Sequence, residues 1–270
     1  MSLREFLIGV STTLAVLLIA YVVVAGGLGP LAPQVLRELG GNYLRHAYNP
    51  WNISLSSLSL EVVTAIVWDY RGLDTYFETS VLFISIVGVT MLFRGYREVR
   101  GLSKAGLSEI VKTTTRILVP LIMISGISVA LHGHLTPGGG FQGGSFIAVL
   151  LVLLTVVFSV EYLLSMGITS SKLLVLRTVG LLGVFTTSIG LLVVGLFLGI
   201  PAYIFQNMGR DNAPISMPSW LIDRPLGGTL FFFNLFESMA VAAGLALAFL
   251  VLALREEEVG EALSEGEWYE

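Results

Sequence analysis

The sequence predicts an all-α integral membrane protein with six transmembrane helices, one short interfacial or half-membrane helix, and a helix break at a Pro-Gly-Gly-Gly motif. Hydrophobic residues make up 54% of the 270 residues and charged residues only 13%. The mean hydropathy of +0.83 lies well above that of soluble domains. Apolar runs of about 20 residues, the length that crosses the hydrocarbon core of a bilayer, recur along the chain.

Six apolar runs define the predicted spans, which cover residues 6–28, 75–93, 117–132, 144–164, 173–198 and 226–254. The first run resembles a secretory signal because Arg4 precedes it, but it is too long for a signal core and is interpreted as a retained helix. Residues 58–70 form a shorter apolar stretch interrupted by Glu61. A helix of that length does not cross the membrane comfortably, so it is predicted as the half-membrane or interfacial helix.

The connection between the third and fourth spans is rich in residues that interrupt helices. Its motif contains one proline and five glycines: Pro137, Gly138, Gly139, Gly140, Gly143 and Gly144. Proline cannot continue a helix, and glycine permits unusual backbone angles and close approach of a neighbour. Non-helical backbone at membrane depth is tolerated only where it is buried in protein or lines a wet cavity. Two interpretations stay open: a closely packed helix hairpin, or an ion or proton passage in which His132 and His134 titrate near neutral pH.

The placement of Lys and Arg predicts that both termini are cytoplasmic. A basic loop after the second span, put on the inside, gives ten cytoplasmic Lys and Arg residues against five outside. The members of this loop are Arg94, Arg97, Arg100, Lys104, Lys112 and Arg116. Arg177, one turn into the fifth span, is expected to extend to the cytoplasmic surface. The glutamate-rich residues 256–270 are expected to form a solvated cytoplasmic tail.

Ionisable residues inside apolar spans are the functional candidates, because a charge within the bilayer is unfavourable. Glu237 lies about midway along the sixth predicted span, with Asn234 one turn earlier. It is a candidate for ion or proton handling, and a structural hydrogen bond between helices explains it equally well. Glu78 lies near the start of the second span, just after Asp69, Arg71 and Asp74. The alternative for this group is an interfacial cluster of salt bridges.

Enzyme chemistry has no recognisable basis in this sequence. No nucleophile–base arrangement, phosphate loop or metal-ligand cluster is visible, and the chain contains no cysteine, which excludes thiolate-bound metal centres. The glycine-rich motif joins two apolar helices rather than a strand and a helix, so it does not match a nucleotide-binding fingerprint. We therefore predict no catalytic residue, no metal and no cofactor in this chain, and a lipid bilayer rather than nucleic acid around it.

Two motifs resemble subunits of known membrane complexes. Residues 115–120 (Thr-Arg-Ile-Leu-Val-Pro) and 133–144 (Gly-His-Leu-Thr-Pro-Gly-Gly-Gly-Phe-Gln-Gly-Gly) resemble the B subunit of Mrp-type multisubunit cation/proton antiporters, the MnhB family. Residues 67–79 (Val-Trp-Asp-Tyr-Arg-Gly-Leu-Asp-Thr-Tyr-Phe-Glu-Thr) resemble a signature of the carboxy-terminal region of the Mrp A subunit and of the E subunit of membrane-bound hydrogenases. The chain thus resembles a fusion, with the A/E-like segment at 1–107, the MnhB-like segment at 108–255 and the acidic tail at 256–270.

The resemblance implies a non-catalytic subunit of a sodium/proton antiporter module in a prokaryotic plasma membrane, inside a ferredoxin-linked, hydrogenase-like respiratory complex. Implied partners are antiporter-like subunits, small C-, F- and G-type subunits and a hydrogenase-like peripheral module. The A-subunit signature maps onto Asp69, Arg71, Asp74 and Glu78, and Glu237 stands where the B family usually has an aspartate. A purely structural subunit and a self-sufficient transporter remain alternatives, although no inverted repeat of the transporter kind is visible.

Overall fold

The computed structural model describes residues 3–27, 29, 35–92 and 107–252, and the chain divides into two compact units, residues 1–41 and 42–270. The elements in chain order are α1 (Leu3–Val24), α2 (Glu38–Ala47), a 3₁₀ turn (Ile53–Leu55), α3 (Val62–Ala65), a π-helical turn (Ile66–Tyr70), α4 (Gly72–Leu92), α5 (Glu109–Leu131), α6 (Gly140–Phe158), α7 (Val160–Ser165), α8 (Ser170–Leu198), β1 (Trp220–Leu221), β2 (Arg224–Pro225) and α9 (Thr229–Leu252).

Six of these helices are long and apolar enough to cross a membrane. They are Phe6–Val24 within α1, and α4, α5, α6, α8 and α9 over their full lengths. The predicted fold class is therefore confirmed, and so is the helix break, because α5 ends at Leu131 and α6 begins at Gly140. α9 is the most deeply buried of these spans, with half of its apolar window covered by the rest of the chain.

Several predicted boundaries are wrong, for identifiable reasons. α5 begins at Glu109, so Lys112 and Arg116 lie on that helix rather than in the basic loop. Lys112 pairs with Glu109 at 3.0 Å, and the Arg116 guanidinium lies 5.6 Å from the ring centre of Phe158. An apolar run could not reveal this start, because charged residues occupy the first two turns. The basic residues at 94, 97, 100 and 104 and the acidic tail lie outside the described residues.

The fourth and sixth spans are also shifted relative to the predictions. α6 begins at Gly140 rather than residue 144, and it ends at Phe158 because Ser159 has a φ of +113°, after which α7 continues. α9 begins at Thr229, so Glu237 is its ninth residue of 24 and lies in the first half of the helix rather than midway. The apolar run that precedes Thr229 is not helical, since Gly227 and Gly228 both have positive φ.

Glycines set the close contacts of α6 with the helices on either side of it. A Cβ atom at Gly143 would lie 2.5 Å from the Cβ of Ala130 on α5, and one at Gly144 would lie 2.7 Å from the carbonyl oxygen of Ser238 on α9. α8 meets α9 in the same way, because a Cβ at Gly180 would lie 2.6 Å from the backbone nitrogen of Ala240. Membrane helices approach this closely where their contacts are made by small residues.

The predicted short helix packs inside the bundle. α3 and the π-helical turn cover residues 62–70, and Trp68 is 1% exposed. Its indole stacks on the ring of Phe233 in α9, with ring centres 4.4 Å apart and planes inclined by 3°. The stacked pair anchors this short helix against α9, and we keep the predicted term half-membrane helix for residues 62–70.

Three loops of the second unit are hydrogen-bonded into one layer, which we call the loop layer (residues 47–61, 132–139 and 199–228). The hydroxyls of Ser59 and Thr64 donate to the carbonyl oxygens of His134 and Gly133, at 2.9 and 2.6 Å. The side chain of Asn207 donates to the carbonyl oxygen of Ser57 at 3.1 Å and accepts from the backbone N–H of Thr229 at 2.9 Å. The helix break is therefore held by residues that are distant from it in sequence.

A test of the glycine contacts is the replacement of Gly143 or Gly144 by Leu. Each added side chain would be forced into the backbone of a neighbouring helix, and overpacking of this kind destabilises by about 1–3 kcal/mol. We expect a lower Tm for both variants in detergent. Gly190→Leu is the matched control, because a Cβ at Gly190 meets nothing within 4 Å. Equal Tm values in the variants and the control would contradict the close-contact role.

Candidate functional site

A cavity of about 270 Å³ lies beside the helix break. It is enclosed by the half-membrane helix, α4, the break itself and α9. Its lining combines two carboxylates with hydroxyl, amide and backbone groups, and the residues are Val63, Thr64, Val67, Trp68, Thr75, Glu78, Thr79, Leu82, Gly138, Gly139, Gly140, Phe141, Gln142, Asn234, Glu237 and Val241. The volume is sufficient for several water molecules, since a water occupies about 30 Å³ in the liquid.

Glu237 faces this cavity and packs against the first residue of α6. Its side chain is 6% exposed, so it faces protein rather than lipid, as predicted. A Cβ atom at Gly140 would lie 2.6 Å from Glu237 Oε2, which shows how closely the carboxylate approaches the backbone. Trp68 and Phe141 line the same cavity as this carboxylate.

The start of α6 lies against polar side chains of α9. The backbone N–H of Gly140 donates to Asn234 Oδ1 at 3.2 Å, and a Cβ at the same glycine would lie 2.6 Å from Glu237 Oε2. The first N–H groups of a helix have no partner within the helix, and its first turn carries partial positive charge. The polar end of α6 and the carboxylate of α9 therefore stabilise each other inside an apolar bundle.

Glu78 approaches the cavity from α4. One face of α4 lines the cavity. Its residues are Thr75, Glu78, Thr79 and Leu82. Glu78 and Glu237 line the same cavity, so their negative charges repel. Among the described residues, neither carboxylate forms an ion pair. Two carboxylates in such a site are both charged only when a cation is present, and otherwise one holds a proton.

Four buried side-chain atoms have no hydrogen-bond partner within the described residues. They are Asn234 Nδ2, Thr229 Oγ1, His134 Nδ1 and His46 Nδ1, and of these residues only Asn234 lines the cavity. Asn234 lines the cavity, and its Nδ2 is close to Gly133, where a Cβ would lie 2.8 Å from it. Buried polar groups are nearly always hydrogen-bonded to protein or to ordered water. Asn234 Nδ2 is thus a position at which water can bind.

The two histidines are placed differently from each other. His134 is buried in the loop layer, with Nε2 3.2 Å from the carbonyl oxygen of Pro225, and burial lowers the pKa of its imidazole. His132 is exposed at the end of α5, with Nδ1 3.0 Å from the carbonyl oxygen of Ser128. Neither residue lines the cavity with Glu78 and Glu237.

The charged residues just before Glu78 also lie outside the cavity. Arg71 and Asp74 form an exposed ion pair, with Nε and Oδ2 2.6 Å apart. Exposed pairs of this kind contribute little to stability. Asp69 turns toward the loop layer, where its Oδ2 accepts a hydrogen bond from the Ser57 hydroxyl at 2.6 Å. The structure therefore brings Glu78 and Glu237 together and separates the other predicted charged residues from them.

Arg177 is not at the cytoplasmic surface, which corrects the prediction. It is the eighth residue of α8 and is 2% exposed. Its guanidinium donates to the carbonyl oxygen of Phe83 on α4 at 2.8 Å and lies 4.4 Å from the centre of the Phe83 ring. A Cβ at Gly244 of α9 would lie 3.7 Å from Arg177 Cδ. The partners of the guanidinium lie on α4, a helix distant in sequence, so sequence spacing alone could not place this arginine.

The comparisons with known proteins identify the family. Residues 110–247 match the family model of the domain related to the MnhB subunit of the Na+/H+ antiporter. The chain belongs to this family. A Staphylococcus epidermidis protein named as an antiporter subunit, mnhB2, is 32% identical over 107 residues, or 39% of this chain and 70% of that protein. An uncharacterized Methanocaldococcus jannaschii protein is 28% identical over 222 residues, or 76% of this chain and 81% of that protein.

Two solved structures have similar folds. The first is a chain of the membrane-bound sulfane sulfur reductase (MBS), an archaeal respiratory membrane complex, with a TM-score of 0.64 and 27% identity over 93% of this chain and 100% of that chain. The second is a chain of the Mrp complex from Dietzia sp. DQ12-45-1b, with a TM-score of 0.59 and 18% identity over 95% of this chain and 26% of that chain, which shows a shared fold. The predicted MnhB-type assignment is confirmed.

The cavity combines residues from inside and outside the matched family region. Gly138, Gly139, Gly140, Asn234 and Glu237 lie within residues 110–247, and the residues of the half-membrane helix and α4 precede them. Sequence reasoning missed the lining residues Thr64, Trp68, Thr75, Thr79 and Gln142. For Thr75 and Thr79 the signal was present, because they share a helix face with Glu78. For Thr64 and Trp68 it was not, because they reach the cavity through tertiary packing.

The buried imidazole of His134 predicts an acid-sensitive stability. Because the pKa of His134 is lowered in the folded chain, the unfolded chain binds the proton more tightly at pH values below about 6.5. Stability is then fully present above about pH 6.5 and decreases as the pH falls through the lowered pKa. We expect His134→Gln to flatten the decrease in Tm between about pH 7 and 5, measured in detergent.

His132→Gln is the matched control for this measurement, because it removes an exposed imidazole two residues away. The slope of Tm against pH should stay as in the wild type in this variant. An unchanged slope in His134→Gln would contradict the prediction.

Proposed function

We propose that the chain is a non-catalytic membrane subunit of a multisubunit Mrp-type sodium/proton antiporter module, and that the cavity between Glu78 and Glu237 contributes to its ion path. The observation that carries this proposal is the pair of carboxylates, which line one polar cavity between membrane helices without an ion-pair partner in the described residues. Membership of the MnhB family supports the same assignment.

The energetics favour a functional role for the carboxylates. A charged side chain such as Asp at the centre of a membrane helix is unfavourable by about 2.5–3.5 kcal/mol on insertion scales, and ionisable residues that persist there face cavities or ion pathways. A helix that only needed to pack could carry Leu or Met at residue 237 without this penalty. The cavity instead offers carboxylate, hydroxyl and amide oxygens, which are the ligands that hard cations prefer.

The cavity provides the negative charge and the positions for water that exchange between a proton and a cation requires. Each occupant neutralises part of the negative charge shared by Glu78 and Glu237, so binding of one favours release of the other. Asn234 Nδ2, which belongs to the cavity lining, can bind water that carries protons or hydrates a cation. His134 lies within the loop layer and stays a candidate for the proton route on that side. We propose no direct contact with the transported ion for the remaining candidates, Asp69, Arg71, Asp74 and His132.

The similarity to a chain of the MBS complex supports a respiratory assembly as the setting. We propose that the chain works in a ferredoxin-linked, hydrogenase-like or related complex, beside antiporter-like and small C-, F- and G-type subunits, and contributes no cofactor or catalytic residue. Residues 1–107 would be the A/E-like segment, 108–255 the MnhB-like segment and 256–270 the tail. In a prokaryotic plasma membrane, with both termini cytoplasmic, the loop layer would face outward.

A second candidate function, a purely structural subunit, is favoured by one observation. Asn234 accepts a hydrogen bond from the N–H of Gly140, and the Glu237 carboxylate lies close to the same glycine. A carboxylate that only caps this turn would explain its burial without transport. The two functions differ in whether the carboxyl group must change its charge.

The deciding substitution is Glu237→Gln. Glutamine keeps the shape of the side chain and can still accept hydrogen bonds from α6, but it does not ionise. We expect an assembled complex whose sodium- or proton-coupled transport is several-fold slower. The measurement is the formation of a pH gradient in reconstituted vesicles at matched complex content.

Glu109→Gln provides the control, since it makes the same chemical change on α5 at a glutamate that is 78% exposed. Its transport rate should equal that of the wild type. A wild-type rate in Glu237→Gln would favour the purely structural function, because capping alone survives this substitution.

A further inference from the structure

An arginine of α8 lies just beyond one end of the cavity. The α4 wall of the cavity ends at Leu82 and its α9 wall ends at Val241. Arg177 contacts the next residue of α4 and the next turn of α9. Its guanidinium donates to the carbonyl oxygen of Phe83 at 2.8 Å, and its Cδ lies 3.7 Å from the position of a Cβ at Gly244. Since Arg177 is 2% exposed, its positive charge is enclosed beside the cavity end that is farther from the helix break.

Apolar side chains close the same end of the cavity. Leu82 belongs to the cavity lining and also packs against a buried apolar cluster formed by α4, the start of α8 and α9. The members of this cluster are Ile86, Leu173, Ala243, Ala246 and Leu247. Packed interiors of this kind contain few voids larger than a water molecule. An ion in the cavity therefore interacts with the charge of Arg177 across protein rather than across water.

The positive charge of Arg177 is permanent. The guanidinium of an arginine stays protonated in proteins. Its two contacts, with the carbonyl oxygen and the ring of Phe83, are made with neutral groups, which leave its net charge unchanged. Arg177 therefore adds one positive charge to the surroundings of Glu78 and Glu237.

The separation is short enough for this charge to act on the cavity. Phe83 follows Glu78 by five residues and Gly244 follows Glu237 by seven, which correspond to about 7.5 and 10.5 Å along the helix axes. Two unit charges about 10 Å apart, at the effective dielectric constant of about 20 that describes charges in proteins, change a binding equilibrium on the order of tenfold. Salt screens buried charges much less than exposed charges.

We propose that Arg177 is a fixed counter-charge that weakens the binding of a monovalent cation in the cavity between Glu78 and Glu237. Two carboxylates without this charge would bind a cation more tightly and release it more slowly. Translocation requires a site that an ion can leave as well as enter. This inference deepens the proposed function and rests on it, since it concerns the cation affinity of the same cavity.

A purely structural role for Arg177 has a different consequence. If the guanidinium only joins α8 to α4, its loss changes stability but not the cation concentration that half-fills the cavity. Removal of the guanidinium leaves no unpaired carbonyl oxygen, because Phe83 lies within α4 and keeps its helical hydrogen bond. Replacement of a buried charge by an uncharged side chain of similar size is often neutral for stability, so neutral variants of Arg177 are expected to fold.

The test measures occupancy of the cavity on this chain alone. The chain contains no cysteine, so Leu82→Cys places a single thiol in the cavity lining of the full chain in its native complex. Na+ bound in the cavity should slow the alkylation of this thiol by iodoacetamide. The readout is the Na+ concentration that gives half-maximal protection, at constant ionic strength, with alkylation measured by mass spectrometry.

In the Leu82→Cys background, we expect this Na+ concentration to fall on the order of tenfold in Arg177→Gln and in Arg177→Met. Two neutral variants are used because Met, which is unbranched and apolar, suits a buried site better than Gln. Arg177→Lys keeps the charge and should leave the Na+ concentration unchanged. Lys172→Gln is the matched control, because it removes an exposed positive charge from the first turn of the same helix, and it should also have no effect.

Three results would overturn the inference. The first is an unchanged half-maximal Na+ concentration in the neutral Arg177 variants, or a fall of the same size in Arg177→Lys. The second is the absence of Na+ protection when Arg177 is retained. The third is loss of assembly in both neutral variants, which would show a structural role instead.

Comparison with Glu237→Gln separates this inference from the proposed function. A tenfold fall in the neutral Arg177 variants together with wild-type transport in Glu237→Gln would support the counter-charge and contradict the ion path. Impaired transport in Glu237→Gln with an unchanged half-maximal Na+ concentration in the neutral Arg177 variants would overturn the counter-charge and leave the ion path supported.

Discussion

The architecture of the second unit depends on the contact between the first residue of α6 and α9. Because Gly140 has no Cβ, its backbone approaches Asn234 and Glu237 to distances that a side chain would block. The same contact provides the hydrogen bond from the Gly140 N–H to Asn234 Oδ1, which satisfies a group that burial would otherwise leave unpaired. This one contact therefore ends the helix break, satisfies the first N–H of α6 and positions the Glu237 carboxylate.

The region around this contact is built from segments that are far apart in sequence. Trp68 stacks on Phe233 and closes one side of the cavity, and Thr64 holds the carbonyl oxygen of Gly133. Asn207 joins the first loop to the start of α9. The loop layer thus fixes irregular backbone that cannot form regular helical hydrogen bonds. Such backbone is stable within a membrane protein because other parts of the protein satisfy its polar groups.

The sequence alone predicted the fold class, the number of spans and the break, because apolar run length and the Pro-Gly-Gly-Gly motif are local signals. It also predicted Glu78 and Glu237 as candidate functional residues, since each is an ionisable residue in an apolar run. It did not predict that they share a cavity, because α4 and α9 are separated by more than 130 residues along the chain. The contacts of Arg177 and Trp68 escaped prediction for the same reason: a side chain's partners depend on tertiary packing, which hydropathy does not encode.

Arg177 has a consequence for how the chain enters the membrane. Its guanidinium contacts the carbonyl oxygen and the ring of Phe83 on α4, a helix that is synthesised before α8. An isolated α8 would expose the charge to lipid during insertion, at a penalty of about 2.5–3.5 kcal/mol at the centre of a helix. The apolar character of α8, with a mean hydropathy of 2.3, supports insertion despite this charge. Packing of α8 against α4 then shields the arginine, which couples the membrane insertion of these two helices.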